Sequence, residues 1–450
     1  MRIHLIAIGG SAMHNLAIAL HINHYTVSGS DDEIYNPARD RLAHHGLLPA
    51  QMGWDAGRIH ADIDLIILGM HARPDNPELA RARELNIPIQ SYPEFLYNQA
   101  QHKTRVVVAG SHGKTTTTSM IMHVLQYHNQ DYDYLVGAQL EGFDNMVRLS
   151  DAPLMVIEGD EYLSSALDRR PKMLHYRPQI AIITGIAWDH INVFPTFENY
   201  CEQFALFCQS MPAGAQLMYF AADEQLEAIV AQHGQHLDAT GYRAFAAELK
   251  EGQTVLRREN GAPVPLSVFG QHNLANLRAA FLACRQLEIS EEAFFEAIPS
   301  FRGAAKRLQL IKELPDSIAY LDFAHAPSKV EATIHALQEQ YPQRQLLACL
   351  ELHTFSSLNQ KFLKEYREKM NKADQAIVFY SPHTLEMKRM PPISAQDIQT
   401  AFGHPNLQVI TDKEALAAQL NQTDWTDRNL LLMSSGTFGG LHWSSFPHFT

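Results

Sequence analysis

The sequence predicts an α/β protein assembled from three successive blocks, and three observations carry that expectation. Short apolar runs rich in Val, Ile and Leu alternate with helix-period stretches along nearly the whole chain. Two of those runs empty directly into glycine turns that open helices: Gly9-Gly10-Ser11, and Gly110-Ser111-His112-Gly113-Lys114-Thr115. At 450 residues the chain is too long for a single core, and it breaks naturally near residues 98–103 and near Pro299 and Gly303. The expected domains are 1–102, 103–299 and 300–450.

In the first block a strand at 3–8 runs through Gly9, Gly10 and Ser11 into an apolar helix ending near residue 20. A second strand at 25–28 leads into Ser28-Gly29-Ser30-Asp31, and further strands are expected at 65–68 and 87–90. Strand, glycine turn and helix form a phosphate corner of the dinucleotide-binding type, and an acid ending the second strand commonly meets a ribose. The polar stretch 98–103 lacks apolar period and reads as a linker. The second block carries the Gly110 loop, strands at 154–157 and 180–184, and helices at 197–208 and 273–287. In the third, strands at 318–323, 345–350, 375–379, 408–410 and 429–433 alternate with helices at 329–340, 360–370 and 414–420. That alternation is doubly wound.

Composition narrows the function classes. An apolar fraction of 46% with 19% charged residues is ordinary globular composition. Thirty-six basic against 49 acidic residues give a net charge of −13, which argues against a nucleic-acid or membrane-surface binder. An anionic ligand must then be held by local basic groups and backbone N–H groups. The four cysteines show no Cys-x-x-Cys spacing, as expected of free thiols in a reducing compartment. With no apolar run of membrane-spanning length and no leader-like start, the expected location is cytoplasmic.

The Gly110 loop carries most of the chemistry. Its glycines let backbone N–H groups approach phosphate oxygens, and the following helix N-terminus adds partial positive charge. Lys114 is placed for β/γ-phosphates and the Thr115 hydroxyl for Mg²⁺. Val108 stands where a full phosphate-loop pattern has its first glycine. A corner that merely contains Gly-Lys-Thr is the plainer alternative. The run Thr115–Thr118 argues against it, being poor helix material unless its hydroxyls are used.

Four further groups surround that reading. Glu158-Gly159-Asp160-Glu161 follows one strand and Trp188-Asp189-His190 another, so Glu158 and His190 are candidate metal ligands. His272, Asn273 and Asn276 suit an adenine edge, with Asn273 as a plain helix N-cap the alternative. Arg302, Lys306 and Arg307 form a basic cluster at the second boundary, able to close onto phosphates or simply to face solvent. Asp322 and His325 end a strand before a proline turn.

In order and spacing these motifs resemble the Mur ligases, over essentially the whole chain. The resemblance implies a Rossmann-like N-terminal domain for a UDP-sugar, a central phosphate-loop ATPase, and a Rossmann-like C-terminal domain for the incoming amine. It implies ATP and Mg²⁺, and an acyl phosphate formed from a muramyl carboxylate and opened by the amine. Carried over, Gly110, Ser111, His112, Gly113, Lys114, Thr115, Thr116, His272, Asn273, Asn276 and Arg307 would meet ATP. Thr115, Glu158 and His190 would hold Mg²⁺, and Lys114, His190, Arg307, Asp322 and His325 would serve catalysis. Gly9, Gly10, Ser11, Ser30 and Asp31 would contact the UDP-sugar.

No lysine lies between Lys172 and Lys250, so the carbamylated lysine of the later-acting ligases has no counterpart. The chain therefore resembles the branches acting on UDP-N-acetylmuramate itself, which add either L-alanine or L-alanyl-γ-D-glutamyl-meso-diaminopimelate. Glu158–Tyr162, His175-Tyr176 with Pro178, and the stretch from Met433 to His442 resemble the tripeptide-adding branch. Gly185 and Ala326 depart from the family pattern, which has asparagine and histidine there. His353 and His383 are candidates for the acceptor site. The partners expected are UDP-N-acetylmuramate and a small peptide or amino acid, with no nucleic acid and no membrane, for a monomer or weak homodimer.

Overall fold

A computed structural model describes residues 1–138, 140, 142–258 and 261–441. His442, which closes one of the stretches noted above, lies outside the described residues. The chain divides into two compact units. The first comprises Met1–Ile186, Cys201–Arg243 and Ala279–Ala297; the second comprises Ala187–Tyr200, Ala244–Arg278 and Ile298–Thr450.

The first unit holds two sheets. Four parallel strands stand in the spatial order Thr26–Ser30, Arg2–Ile6, Leu65–Leu68, Ile89–Ser91. Seven strands form the other, in the order Asp238–Tyr242, Gln216–Phe220, Ile180–Ile183, Thr104–Ala109, Leu154–Glu158, Asp133–Leu135, Val147–Arg148. All neighbours in it are parallel except the last pair. Val106, Val107 and Val108 sit in its middle and are wholly buried, which explains their continuous apolar run. Each such side chain contributes about 1.5–3 kcal/mol through burial, and together they fix the strand that launches the glycine loop.

The second unit contains a three-stranded antiparallel sheet and a six-stranded sheet. The six strands stand in the order Gln309–Glu313, Ile318–Asp322, Arg428–Met433, Gln345–Glu351, Gln375–Phe379, Leu407–Ile410, parallel after the first pair. Apolar clusters cover it, one centred on Val330, Ile334, Leu350, Tyr366 and Phe402, the other on Leu347, Cys349, Leu416 and Trp425. All four cysteines are buried, and none forms a disulfide. Burial pushes the thiol of Cys208 up to about 12, leaving it inert.

Three expectations need correction. The supposed linker at 98–103 is partly helical, because the helix Tyr92–Ala100 carries on to bury Ala100. Its start is fixed by a capping box between Ser91 and Glu94. The expected helix at 360–370 is instead a run of turns around the 3₁₀ segment Leu363–Tyr366. Glu368 has left-handed backbone (φ 63°), and its N–H donates to Phe402 O at 2.9 Å rather than within a helix. Tyr366 stacks on Phe402 with centroids 4.9 Å apart, so tertiary packing overrides local propensity. Asn273 is not an N-cap, since its helix spans Gln271–Gln286 and its side chain donates back to Phe269 O at 2.9 Å.

Candidate active site

The glycine loop is built as its sequence predicts. Gly110 has a φ of 122°, and a Cβ there would come within 2.3 Å of Thr184 Oγ1, so only glycine fits. Gly113, with φ 73°, caps the helix Lys114–Tyr127. The Thr184 hydroxyl lies against two loop carbonyls, Ala109 O at 3.1 Å and His112 O. Ser111 N–H donates to Gly185 O at 3.0 Å. Gly185 itself has a φ of 126°, which favours the glycine found at this departure from the family pattern. Beyond it, Asp223 accepts from Ile186 N–H at 2.6 Å and, as N-cap of the helix Glu224–His233, from Leu226 N–H at 3.0 Å.

Polar side chains converge on this loop. Lys114 Nζ donates to Gly110 O at 2.5 Å and to the buried carboxylate of Glu161 at 2.6 Å. Burial works against its charge, but Glu161, Asp160 and Glu158 outweigh that and raise its pKa above the usual lysine range. Thr115 donates to Glu158 Oε1 at 2.9 Å, while Glu158 Oε2 accepts from Gly137 N–H at 2.7 Å. A hydroxyl and a carboxylate side by side are hard oxygen donors of the kind Mg²⁺ takes, and Mg²⁺ keeps water and phosphate as its other ligands. Among the described residues, no group of three or more His, Cys, Asp or Glu is arranged to hold a metal ion.

Glu161, Thr184 and Asp223 were not singled out by the sequence reading. Glu161 had a signal in the acidic turn, three residues beyond Glu158; the partners of Thr184 and Asp223 are set by the tertiary fold.

The first unit also contains the second glycine corner. Asp31 Oδ2 accepts from Gly9 N–H at 2.7 Å, and Ser30 O accepts from the N–H groups of Ala7 and Ile8 at 2.9 and 3.0 Å. Burial, and then Asp32 beside it, push the Asp31 carboxyl up to about 6. The Ser30 hydroxyl donates to Glu78, a buried carboxylate that also accepts from Asp55 N–H at 3.0 Å. Ser11 opens the helix Ser11–Ile22, whose N-cap Gly10 makes no side-chain capping bond.

The remaining candidates belong to the second unit, His190 among them, whereas Thr115 and Glu158 belong to the first. Asp189 Oδ2 lies 3.5 Å from Lys329 Nζ and 3.8 Å from His325 Nε2. Burial opposes its charge, but Lys329, His190 and His325 hold its carboxyl well below the usual range. His325 is lowered to about 4, chiefly by burial and then by Lys329, so its ring is neutral near pH 7. Its Nδ1 lies 2.8 Å from Phe323 O, and the Tyr366 hydroxyl donates to His325 O.

Both carboxylate oxygens of Asp322 are engaged by backbone, Oδ2 by Leu308 N–H at 2.6 Å and Oδ1 by Ala324 N–H at 2.7 Å. The Arg307 guanidinium stacks over Phe323 at 4.5 Å. Asn273 and Asn276 are buried, with Asn276 Nδ2 3.5 Å from Asn273 Oδ1. Burial lowers the pKa of His272, against the pull of Asp322. Asp322, Arg307 and His325 are thus brought together around one strand end.

Comparison with known proteins agrees with this architecture. Three family models match in order: the Mur ligase family catalytic domain at residues 2–104, the Mur ligase middle domain at 108–284, and the Mur ligase glutamate ligase domain at 306–436. The UDP-N-acetylmuramate–L-alanyl-γ-D-glutamyl-meso-2,6-diaminoheptandioate ligase of Haemophilus influenzae is 28% identical over 98% of this chain and 97% of its own. The UDP-N-acetylmuramate–L-alanine ligase of a Sulfurihydrogenibium species is 30% identical over 84% of this chain and 82% of its own. The crystal structure of a murein peptide ligase from Psychrobacter arcticus superposes with a TM-score of 0.69 at 24% identity, covering 100% of this chain and 98% of that one. With its three domains matched in sequence and a relative at 30% identity, the chain belongs to the Mur ligase family.

Proposed function

We propose that this chain is an ATP-dependent ligase joining UDP-N-acetylmuramate to L-alanyl-γ-D-glutamyl-meso-diaminopimelate, as in the reuse of cell-wall peptide. One observation carries the ATP half above the rest: a lysine, a hydroxyl and a carboxylate gathered on a glycine loop at a strand's carboxyl end. The nearly full-length match to the Haemophilus influenzae ligase of that name supports the choice of substrates.

In this reading residues 1–102 take the UDP-sugar through Gly9, Gly10, Ser11, Ser30 and Asp31. Residues 103–299 hold ATP through the Gly110–Thr116 loop, and residues 300–450 take the peptide. A muramyl carboxylate oxygen attacks the γ-phosphorus and ADP leaves, giving an acyl phosphate. The peptide's amine nitrogen then attacks the acyl carbon, loses its proton, and phosphate departs as the amide forms. Lys114 neutralises charge on the β/γ-phosphates, and the backbone N–H groups of the loop orient them. Mg²⁺, when bound, supplies further neutralisation, with Thr115, Glu158 and His190 assigned to hold it. His272, Asn273, Asn276 and Arg307 complete the nucleotide contacts, and Asp322 keeps the Arg307 loop in place. His112, His190 and His325 are the candidates to receive the amine proton.

Among the described residues no helix is long and apolar enough to cross a membrane. Soluble, cytoplasmic work as a monomer or weak homodimer fits substrates of this kind. The second reading is L-alanine as acceptor, favoured by the Sulfurihydrogenibium relative of that activity. Phosphate release from ATP, Mg²⁺ and UDP-N-acetylmuramate, with tripeptide or L-alanine offered separately, decides between them. Release and a new amide with tripeptide alone support the first; turnover with L-alanine alone replaces it with the second.

A further inference from the structure

In the six-stranded sheet of the second unit, Arg428–Met433 lies between Ile318–Asp322 and Gln345–Glu351, although it comes last in the chain. The chain thus leaves Gln345–Glu351 toward one edge and returns on the other side. Ligands of open α/β sheets bind at the carboxyl ends of strands where the order reverses in this way.

The side chains at that point form an organised rim. Glu351 is buried, and its Oε2 accepts the Ser434 hydroxyl and Phe438 N–H, the latter at 2.8 Å. Ser434 Oγ accepts from Gly436 N–H at 2.6 Å, and Ser434 N–H donates to Asp322 O at 2.9 Å. The loop after the last strand is therefore tied both to Glu351 and to the strand end carrying His325. His353 stands on the same rim, half-exposed, with Nδ1 3.9 Å from Glu351 Oε1. A Cβ added to Gly436 would meet the Glu351 carboxylate at 2.8 Å and the His353 ring at 2.9 Å, so these groups are pressed together.

Lys388, the residue that ends the helix Pro382–Met387, faces this cluster. Its Nζ lies 4.3 Å from the centroid of Phe355, an aromatic ring left 43% exposed. Among the described residues Lys388 has no carboxylate within ion-pair distance. Burial lowers its pKa, with no anion to offset the effect. Glu351, the acid beside His353, already accepts two donors on one oxygen. A half-buried ammonium held on an aromatic face, open on one side and lacking an anion, is suited to an anionic ligand.

We propose that Lys388, held over Phe355 beside His353, binds a carboxylate of the incoming amine substrate and thereby sets acceptor choice. This rests on the reading that residues 300–450 take the acceptor. The tripeptide offers several carboxylates and L-alanine one, so the same contact serves either acceptor while favouring the one whose carboxylate reaches Lys388. Glu351 acts as a positioning residue, keeping the loop and His353 in place.

The test uses the full-length enzyme with saturating ATP, Mg²⁺ and UDP-N-acetylmuramate, and whichever acceptor the wild type ligates. That acceptor is compared with its analogues in which carboxylates are converted to amides one at a time. Lys388→Met should raise acceptor KM about tenfold, with kcat and the KM for ATP within about twofold, and Lys388→Arg should restore most of the loss. One amide analogue should show the same KM penalty on the wild type and no further penalty on Lys388→Met. An unchanged acceptor KM, or an amide penalty undiminished in Lys388→Met for every carboxylate, overturns the proposal. Wild-type turnover with L-alanine in place of the tripeptide overturns the substrate reading instead, and Lys388 is then judged with L-alanine and alaninamide.

Discussion

The two glycine corners of the first unit share an outline and differ in what faces the turn. At Gly9 and Gly10 the acid Asp31 takes a backbone N–H, and Gly10 has an ordinary φ of −58°. At Gly110 the backbone is left-handed, a lysine and a carboxylate flank the helix start, and Thr184 props the loop from the next strand. At the first corner Gly10 has room for a side chain, whereas a Cβ on Gly9 would come within 2.9 Å of the Asp31 carboxylate. At the second corner both glycines are left-handed, and a Cβ on Gly110 would collide with Thr184 at 2.3 Å. A strand, a glycine and a helix therefore locate a candidate site, and the charges opposite the turn are what distinguish the two corners, the basis on which we assign polyphosphate to one and the UDP-sugar to the other.

The largest effect is expected from Lys114→Ala. It should reduce kcat by about 10³-fold while leaving the circular dichroism spectrum native; near-normal ADP release would sink the ATP assignment. Next comes a paired substitution. Gly110→Ala should destabilise the protein by about 3 kcal/mol, through left-handed backbone and the clash with Thr184. Gly10→Ala meets nothing nearer than 3.6 Å and should change stability by less than about 0.5 kcal/mol. Equal unfolding midpoints in urea for the two variants would erase the distinction.

Thr184→Val keeps the shape but removes the hydroxyl, and should raise the KM for ATP about tenfold with smaller effect on the KM for the UDP-sugar. A uniform rise in both would make Thr184 a general structural residue. The smallest effect concerns Asp31, whose folded-state pKa of about 6 lies above its ordinary 3.8. The native state then holds the extra proton, so this group's contribution to stability falls as pH rises through that interval. Asp31→Asn should therefore melt a few degrees above wild type near pH 8, the gap closing below about pH 4. Parallel melting curves across that range would refute the shift.

Much of the fold was legible because its signals are local. Residues 105–115 announce a buried strand and its glycine turn, and the phosphate-loop glycines have the backbone conformations expected of such a turn. What stayed hidden depends on distant partners. Lys114 and Glu161 are 47 residues apart, and nothing in either neighbourhood names the other. The stretch 360–370 has helical composition, yet Phe402 and His325 O draw Tyr366 into a run of turns. Likewise the short strands Ala247–Lys250, Gln253–Leu256 and Val264–Leu266 form a sheet that their weak, partly charged pattern did not advertise. Asn273 and Asn276 were found as a pair, but their burial and the bond to Phe269 O were not.

Asp223 has one consequence that reaches beyond its helix. The same carboxylate that caps Glu224–His233 fastens Ile186, and the neighbouring Gly185 carbonyl receives the N–H of Ser111. Fraying at that helix end and slackening of the glycine loop are thereby coupled through one side chain. Whatever ligand tightens the loop should slow hydrogen exchange in the first turn of Glu224–His233, on a segment it never touches.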